Sequence, residues 1–159
     1  MRSFRAITAC AFGVCTVLVA ASFSNGPRAT ASDADEQQQA DVQFINNGRF
    51  LSAAVRVGNT LYLSGQLGTS GERGITPETK VSLDRVKALL EANGSHMDDV
   101  VKCTVFLADF AEWGAMNEVY QTYFTKHRPA RSAVAVSGMA QNARVEIECT
   151  AVIGARNAA

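Results

Sequence analysis

The sequence is poor in the side chains that carry most recognisable chemistry. Its only histidines are His96 and His127, which fall in expected loop segments rather than in a paired arrangement. No glycine-rich phosphate loop, dinucleotide-binding turn or serine nucleophile elbow occurs. Those absences leave nucleotide and triad chemistry without support. The cysteines Cys10, Cys15, Cys103 and Cys149 show neither C-x-x-C pairing nor zinc-ligand spacing, so metal and thioredoxin-like readings find none either. An excess of charge is also missing. Lys and Arg total 15 and Asp and Glu total 15, a balance that argues against nucleic acid or an anionic membrane as the main partner.

What is present begins with an amino-terminal stretch unlike the rest. Arg2 and Arg5 precede an uncharged run from Ala6 to Ser24, with Val14, Val17, Leu18 and Val19 at its apolar centre. Ala29-Thr30-Ala31 offers a small-residue cleavage site, and Ala20-Ala21 an earlier one. Residues 1–31 therefore read as a secretory signal peptide, in preference to an uncleaved anchor or an organelle transit peptide. The expected location is periplasmic or secreted, with no membrane attachment after cleavage. Residues 32–42 are polar and Gln-rich, a tether with little to bury, and the folded domain is placed at 43–156. Cys103 and Cys149 fall inside that domain. Pairing in an oxidising compartment is open to them, but two separate buried thiols are expected.

Periodicity within the domain alternates between strand and helix. Ala54–Val57 and Leu61–Ser64 flank Gly58-Asn59, a pair suited to a tight hairpin turn. Thr76-Pro77-Glu78 reads as a helix start, with Thr76 as cap; Leu83, Val86 and Leu90 follow at helical spacing and Gly94 closes the segment. Val100–Leu107 has the apolar, β-branched character of a central strand. A second helix is expected from about Asp109, burying Trp113, Met116, Tyr120 and Tyr123 or Phe124. Ser132–Val136 and Arg144–Ile153 are the last strands, the latter alternating apolar and polar. The order predicts an α+β fold with helices on one face of a mixed sheet, and a bare face apolar enough to favour oligomerisation.

Two residues invite a chemical reading. Arg131 follows Pro129-Ala130 at a strand start, where its planar fork can grip a carboxylate; Glu146 lies on the polar face of the last strand. Were those two strands an antiparallel pair, both side chains would approach one cavity, an anion clamp beside a water-holding carboxylate. An ordinary salt bridge is the competing interpretation. Ser64 and Gln66 are otherwise turn residues, and Asn117 a solvated helix position.

Several segments, in order, resemble the RidA (YjgF) family. They are Val55 to Gln66 (VRVGNTLYLSGQ), Asp99-Val100-Val101-Lys102 before a V-F-L strand, Asn117 to Tyr120 before Tyr123-Phe124, Pro129-Ala130-Arg131-Ser132, and Val145 to Glu148. The resemblance spans about Phe44 to Val152. It implies a chorismate-mutase-like α+β fold, a homotrimer with sites in the clefts between subunits, and cofactor-independent hydrolysis of 2-aminoacrylate and 2-iminobutanoate to 2-oxo acids and ammonia. Carried over by motif, Arg131 binds the substrate carboxylate, Glu146 orients or deprotonates water, and Ser64 and Asn117 line or support the pocket. An already electrophilic imine carbon needs little beyond positioning and one activated water. Leu51 stands where many members have an aromatic residue, and Val81 and Arg85 replace a common Gln and Asn, which bears on substrate range. A noncatalytic ligand-binding or chaperone-like trimer is the alternative function. A ribonuclease reading, also attached to the family, sits poorly with balanced charge and no catalytic histidine pair.

Overall fold

The computed structural model describes residues 41–69 and 71–157. The expected signal peptide and most of the expected tether lie outside these residues. The strands are β1 (Val42–Asn47), β2 (Ser52–Val57), β3 (Thr60–Leu63), β4 (Gln66–Leu67), β5 (Val100–Leu107), β6 (Ala130–Ala135) and β7 (Val145–Val152); the helices are α1 (Ile75–Ala92) and α2 (Trp113–Tyr120).

Local rules account for most of these elements. β2 and β3 form the expected hairpin, with Gly58 at φ 56°, a left-handed conformation that glycine adopts without a Cβ penalty. Helix α1 ends in a Schellman motif: Gly94, at φ 75°, donates to Glu91 O at 3.2 Å and Ser95 to Leu90 O at 3.0 Å. Its start differs from the sequence reading. Gly74, not Thr76, is the N-cap, and Thr76 lies inside the first turn. The capping role passes to Glu78, whose fully buried carboxylate accepts from Gly74 N at 3.3 Å and Arg144 N at 2.8 Å and pairs with Arg73 Nε at 3.1 Å. A buried carboxylate is tolerable only when so satisfied, and this one ties the head of α1 to the entry of β7.

The sheet runs β1-β2-β3-β7-β5-β6, with β4 also paired to β7. Among the described residues only β5 and β6 are parallel; the rest of the ladder is antiparallel, so the sheet is mixed as expected. Both helices pack on the face that carries Cys103, Val105, Leu107, Val145, Ile147 and Ala151. Leu83, Val86 and Leu90 of α1 are wholly buried there, each worth roughly 1.5–3 kcal/mol of apolar transfer. From α2 the buried stripe is Met116, Tyr120 and, beyond its end, Phe124. Trp113, expected in that stripe, is 42% exposed and stacks on Phe110, because residues 110–112 form a tight 3-10 turn that rotates it off the core-facing line.

Cys103 and Cys149 are directly opposed across β5 and β7, with Cα atoms 4.1 Å apart, and form a disulfide. The expectation of two separate thiols is corrected by this register: on facing positions of neighbouring antiparallel strands, two cysteines on one face meet side by side.

Among the described residues, no helix packs on the opposite face of the sheet. Phe44, Val55, Tyr62, Thr150 and Lys102 lie in one row across it, and Phe44 and Tyr62 are more than half exposed.

Candidate functional site

Strand β6 is entered from Pro129, which cannot donate to a ladder, and its second residue is Arg131. Arg131 is in register with Cys103 of β5, so its side chain leaves the sheet on the helical face. There its guanidinium carbon lies 4.5 Å from the centroid of the Tyr120 ring, and that ring tilts against Phe124 at 4.7 Å. The guanidinium thus rests on an aromatic floor rather than on an acid. Burial pushes the Tyr120 phenol up to about 12, with Arg131 acting in the other direction, and the phenol stays protonated. Asn117, one turn earlier on α2, completes the wall. These side chains, with Gln121, Arg128 and Pro129, enclose a cavity of about 350 Å³.

Glu146 stands elsewhere. It is in register with Phe106, three residues beyond Cys103 on β5, and successive residues of a strand alternate faces. Glu146 therefore projects from the bare face of the sheet. It lines a separate cavity of about 380 Å³ with Phe106, Val136, Met139, Ala140 and Glu148. The backbone of Gly65 closes in from β4's side: a Cβ at position 65 would overlap Glu146 Oε1. Beside it, Ser64 Oγ donates to Ser52 O at 2.7 Å, and Gln66 Nε2 donates to Ser64 O at 2.8 Å. The Ser64-Gly65-Gln66 segment is thus the seat of the Glu146 carboxylate as well as a turn.

The anticipated meeting of Arg131 and Glu146 in one cavity does not occur within a subunit. Their strands are not neighbours, since β5 lies between β6 and β7, and the two side chains leave opposite faces of the sheet. Nor are they the ordinary salt bridge that competed with this reading; among the described residues neither takes part in an ion pair. The structure presents two separate cavities, each a candidate half-site: one is lined by Arg131 and Asn117, the other by Glu146, and Ser64 lines neither, its hydroxyl being bonded to Ser52 O next to Gly65.

A third cavity, about 590 Å³, is on the outer surface of the helices and contains none of the four predicted residues. Its charges are already engaged: Lys80 Nζ is 2.6 Å from Asp84, whose other oxygen accepts from Tyr123 Oη at 2.6 Å. Burial together with Asp84 raises the Tyr123 phenol, which holds its proton in that contact. This groove reads as a satisfied surface. His96 and His127 are both exposed, as expected of loop residues.

Sequence reasoning missed three participants. Tyr120 was legible only as core, Gly65 only as part of a turn, and Arg128 was not singled out. The spacing of Tyr120 three residues after Asn117, on the same helix face, was the available signal for the first. Arg85, the departure on α1, donates through Nη1 to Leu67 O at 2.6 Å and so braces β4 rather than entering either half-site. Leu51 is 62% exposed at the start of β2.

Comparison with known proteins agrees with this architecture. Residues 43–153 match the family model described as endoribonuclease L-PSP. A 2-iminobutanoate/2-iminopropanoate deaminase of Mus musculus is 43% identical over 109 residues, covering 65% of this chain and 81% of the mouse protein. A RutC family protein of Pyrococcus abyssi is 40% identical over 106 residues, covering 63% of this chain and 84% of its own length. Among solved structures, the yjgF gene product of E. coli is similar with a TM-score of 0.63 at 33% identity, over 67% of this chain and 91% of that one.

Proposed function

The chain belongs to the RidA (YjgF) family, and from that premise we propose that it hydrolyses small 2-imino acids and their enamine tautomers to 2-oxo acids and ammonia. The observation that carries the reading is Arg131, a guanidinium without an acidic partner among the described residues, held over Tyr120 at the edge of a cavity sized for a small molecule. A planar carboxylate is the complement of that fork. The relatives named as 2-iminobutanoate/2-iminopropanoate deaminases support the same substrate class.

In this proposal a homotrimer brings the Arg131 cavity of one subunit against the Glu146 cavity of the next. The support is geometric: the two half-sites are on opposite faces of one sheet, and the bare face exposes Phe44, Tyr62 and Val134, apolar surface that association would cover. Arg131 binds the substrate carboxylate. Asn117 and Ser64 line the joined pocket. Glu146 takes a proton from water as its oxygen attacks the C=N carbon, and the proton passes to nitrogen; collapse of the carbinolamine breaks the C–N bond and releases ammonia. The proton transfer is worth about 10²–10⁴ in rate, and positioning by Arg131 adds to it. No cofactor is needed in this scheme.

Export belongs to the same proposal. The apolar run before residue 25 supports it, and so does the Cys103–Cys149 disulfide, a bond that persists in oxidising compartments. An exported member would act on imines formed outside the cytosol.

The deciding experiment generates 2-iminobutanoate in situ and follows ammonia release with the purified chain and with Arg131→Ala. Acceleration that depends on Arg131 is expected. No acceleration from a folded protein refutes deamination of this imine and leaves ligand binding without catalysis.

A further inference from the structure

The cavity that holds Arg131 carries more positive charge than a monocarboxylate requires. Arg128, three residues earlier and ahead of Pro129, lines the same space. The remaining walls come from Asn117, Tyr120, Gln121, Phe124 and Pro129, so two guanidiniums face a volume of about 350 Å³ that contains no acidic side chain. Among the described residues, Arg128 forms neither an ion pair nor a side-chain hydrogen bond. On its other side Arg128 shares an adjoining hollow with Asp98, and no ion pair forms between the two. Pro129 locks the backbone between the two arginines at its own position, which limits how far their spacing can drift.

A second feature points to a polar occupant. Tyr120 Oη is the one buried side-chain nitrogen or oxygen among the described residues that lacks a hydrogen-bond partner, and Tyr120 is a wall of this cavity with 7% of its surface exposed. An orphaned buried donor is costly and therefore uncommon.

We propose that Arg128 is a specificity determinant that selects 2-imino acids bearing a second carboxylate, the imines of acidic amino acids. Arg131 takes the carboxylate next to the imine carbon, and Arg128, at the more exposed rim, takes the distal one. The chemistry is unchanged: water adds to C=N, the C–N bond breaks, ammonia leaves, and the distal carboxylate passes through unaltered into a 2-oxo dicarboxylate. The imine part of this inference rests on the deaminase reading; the second-anion part rests on the cavity alone. A charge-assisted contact from an exposed guanidinium corresponds to roughly tenfold in affinity or kcat/KM.

The test uses the full chain with two imines made in situ by a flavin amino-acid oxidase, one from glutamate and one from 2-aminobutanoate, with catalase present. Binding of the two products, 2-oxoglutarate and 2-oxobutanoate, is measured in parallel by calorimetry. Expected are a preference of about tenfold for the dicarboxylate in both measurements, its loss in Arg128→Ala, and its partial return in Arg128→Lys. Turnover of both imines with the same ratio in the parent and Arg128→Ala overturns the selectivity and leaves the deaminase reading intact. An Arg128-dependent preference in binding with no turnover of either imine sinks the deaminase reading and sustains the second-anion site. If Arg128→Ala instead lowers the mass seen by light scattering while the product preference stays, Arg128 is an assembly contact and the proposal is wrong.

Discussion

The guanidinium of Arg131 lies over the ring of Tyr120, 4.5 Å from centroid to carbon, and among the described residues no carboxylate pairs with it. An arginine that must receive a substrate carboxylate cannot be held by a protein one without competition. An aromatic face orients the fork through its quadrupole and leaves all the N–H donors free.

Tyr120→Phe keeps that ring and deletes the unpaired phenol. It is expected to match or exceed the parent in urea stability. Tyr120→Leu is expected to raise KM for a 2-imino acid by about tenfold, in line with the roughly 0.5–2 kcal/mol of a cation–π contact, with a smaller change in kcat. The phenol also has a pH signature. Its folded pKa, about 12, exceeds the ordinary value of 10.0, so its contribution to stability is complete below pH 10 and lost as pH rises from 10 to 12. Denaturant titrations across that range should show a shallower decline for Tyr120→Phe.

Gly65 faces the Glu146 carboxylate so closely that a methyl group would overlap Oε1. Its φ is not in the left-handed region, so Gly65→Ala introduces no backbone strain and acts by displacing Glu146. Turnover is expected to fall by about 10²-fold or more, the scale of a lost general base, while the circular dichroism spectrum is kept. Glu146→Gln should produce a comparable loss. An active Gly65→Ala enzyme would show that the carboxylate need not sit where it does.

The disulfide closes a loop with a sequence separation of 46, for which chain entropy alone gives about 4 kcal/mol of stabilisation. Adding a thiol reductant is expected to lower the urea midpoint of the parent. The same addition should leave Cys103→Ala/Cys149→Ala unmoved, which separates this bond from Cys10 and Cys15.

Asp99, buried at the foot of β5, reports on acid stability. Burial drives its carboxyl upward, but the backbone N–H of Arg156, the Ser95 hydroxyl and the Arg156 guanidinium outweigh it and leave the group below the ordinary 3.8. A depressed folded pKa contributes stability that is present above the unfolded value and lost as pH falls through the folded one. Unfolding monitored from pH 5 down to 2 should therefore show a smaller acid-induced loss for Asp99→Asn, from a lower stability at pH 7.

Local order was open to sequence reasoning because it depends on residues a few positions apart. The alternation in Val145–Val152 specified which side chains of β7 face the core, the Leu83, Val86 and Leu90 stripe specified the buried side of α1, and Gly58-Asn59 specified the hairpin. The chemical identities of Arg131, Glu146, Ser64 and Asn117 were likewise readable, and so was the family they resemble. What only the tertiary structure decided was the order of strands. Placing β5 between β6 and β7 is a pairing between segments distant in the chain, with no local periodicity to announce it, and it alone sets Arg131 and Glu146 on opposite faces, brings Cys103 against Cys149, and rests Arg131 on Tyr120. Periodicity says which face of a strand is apolar; only long-range packing says which strands lie side by side, and the separation of Arg131 from Glu146 follows from that choice.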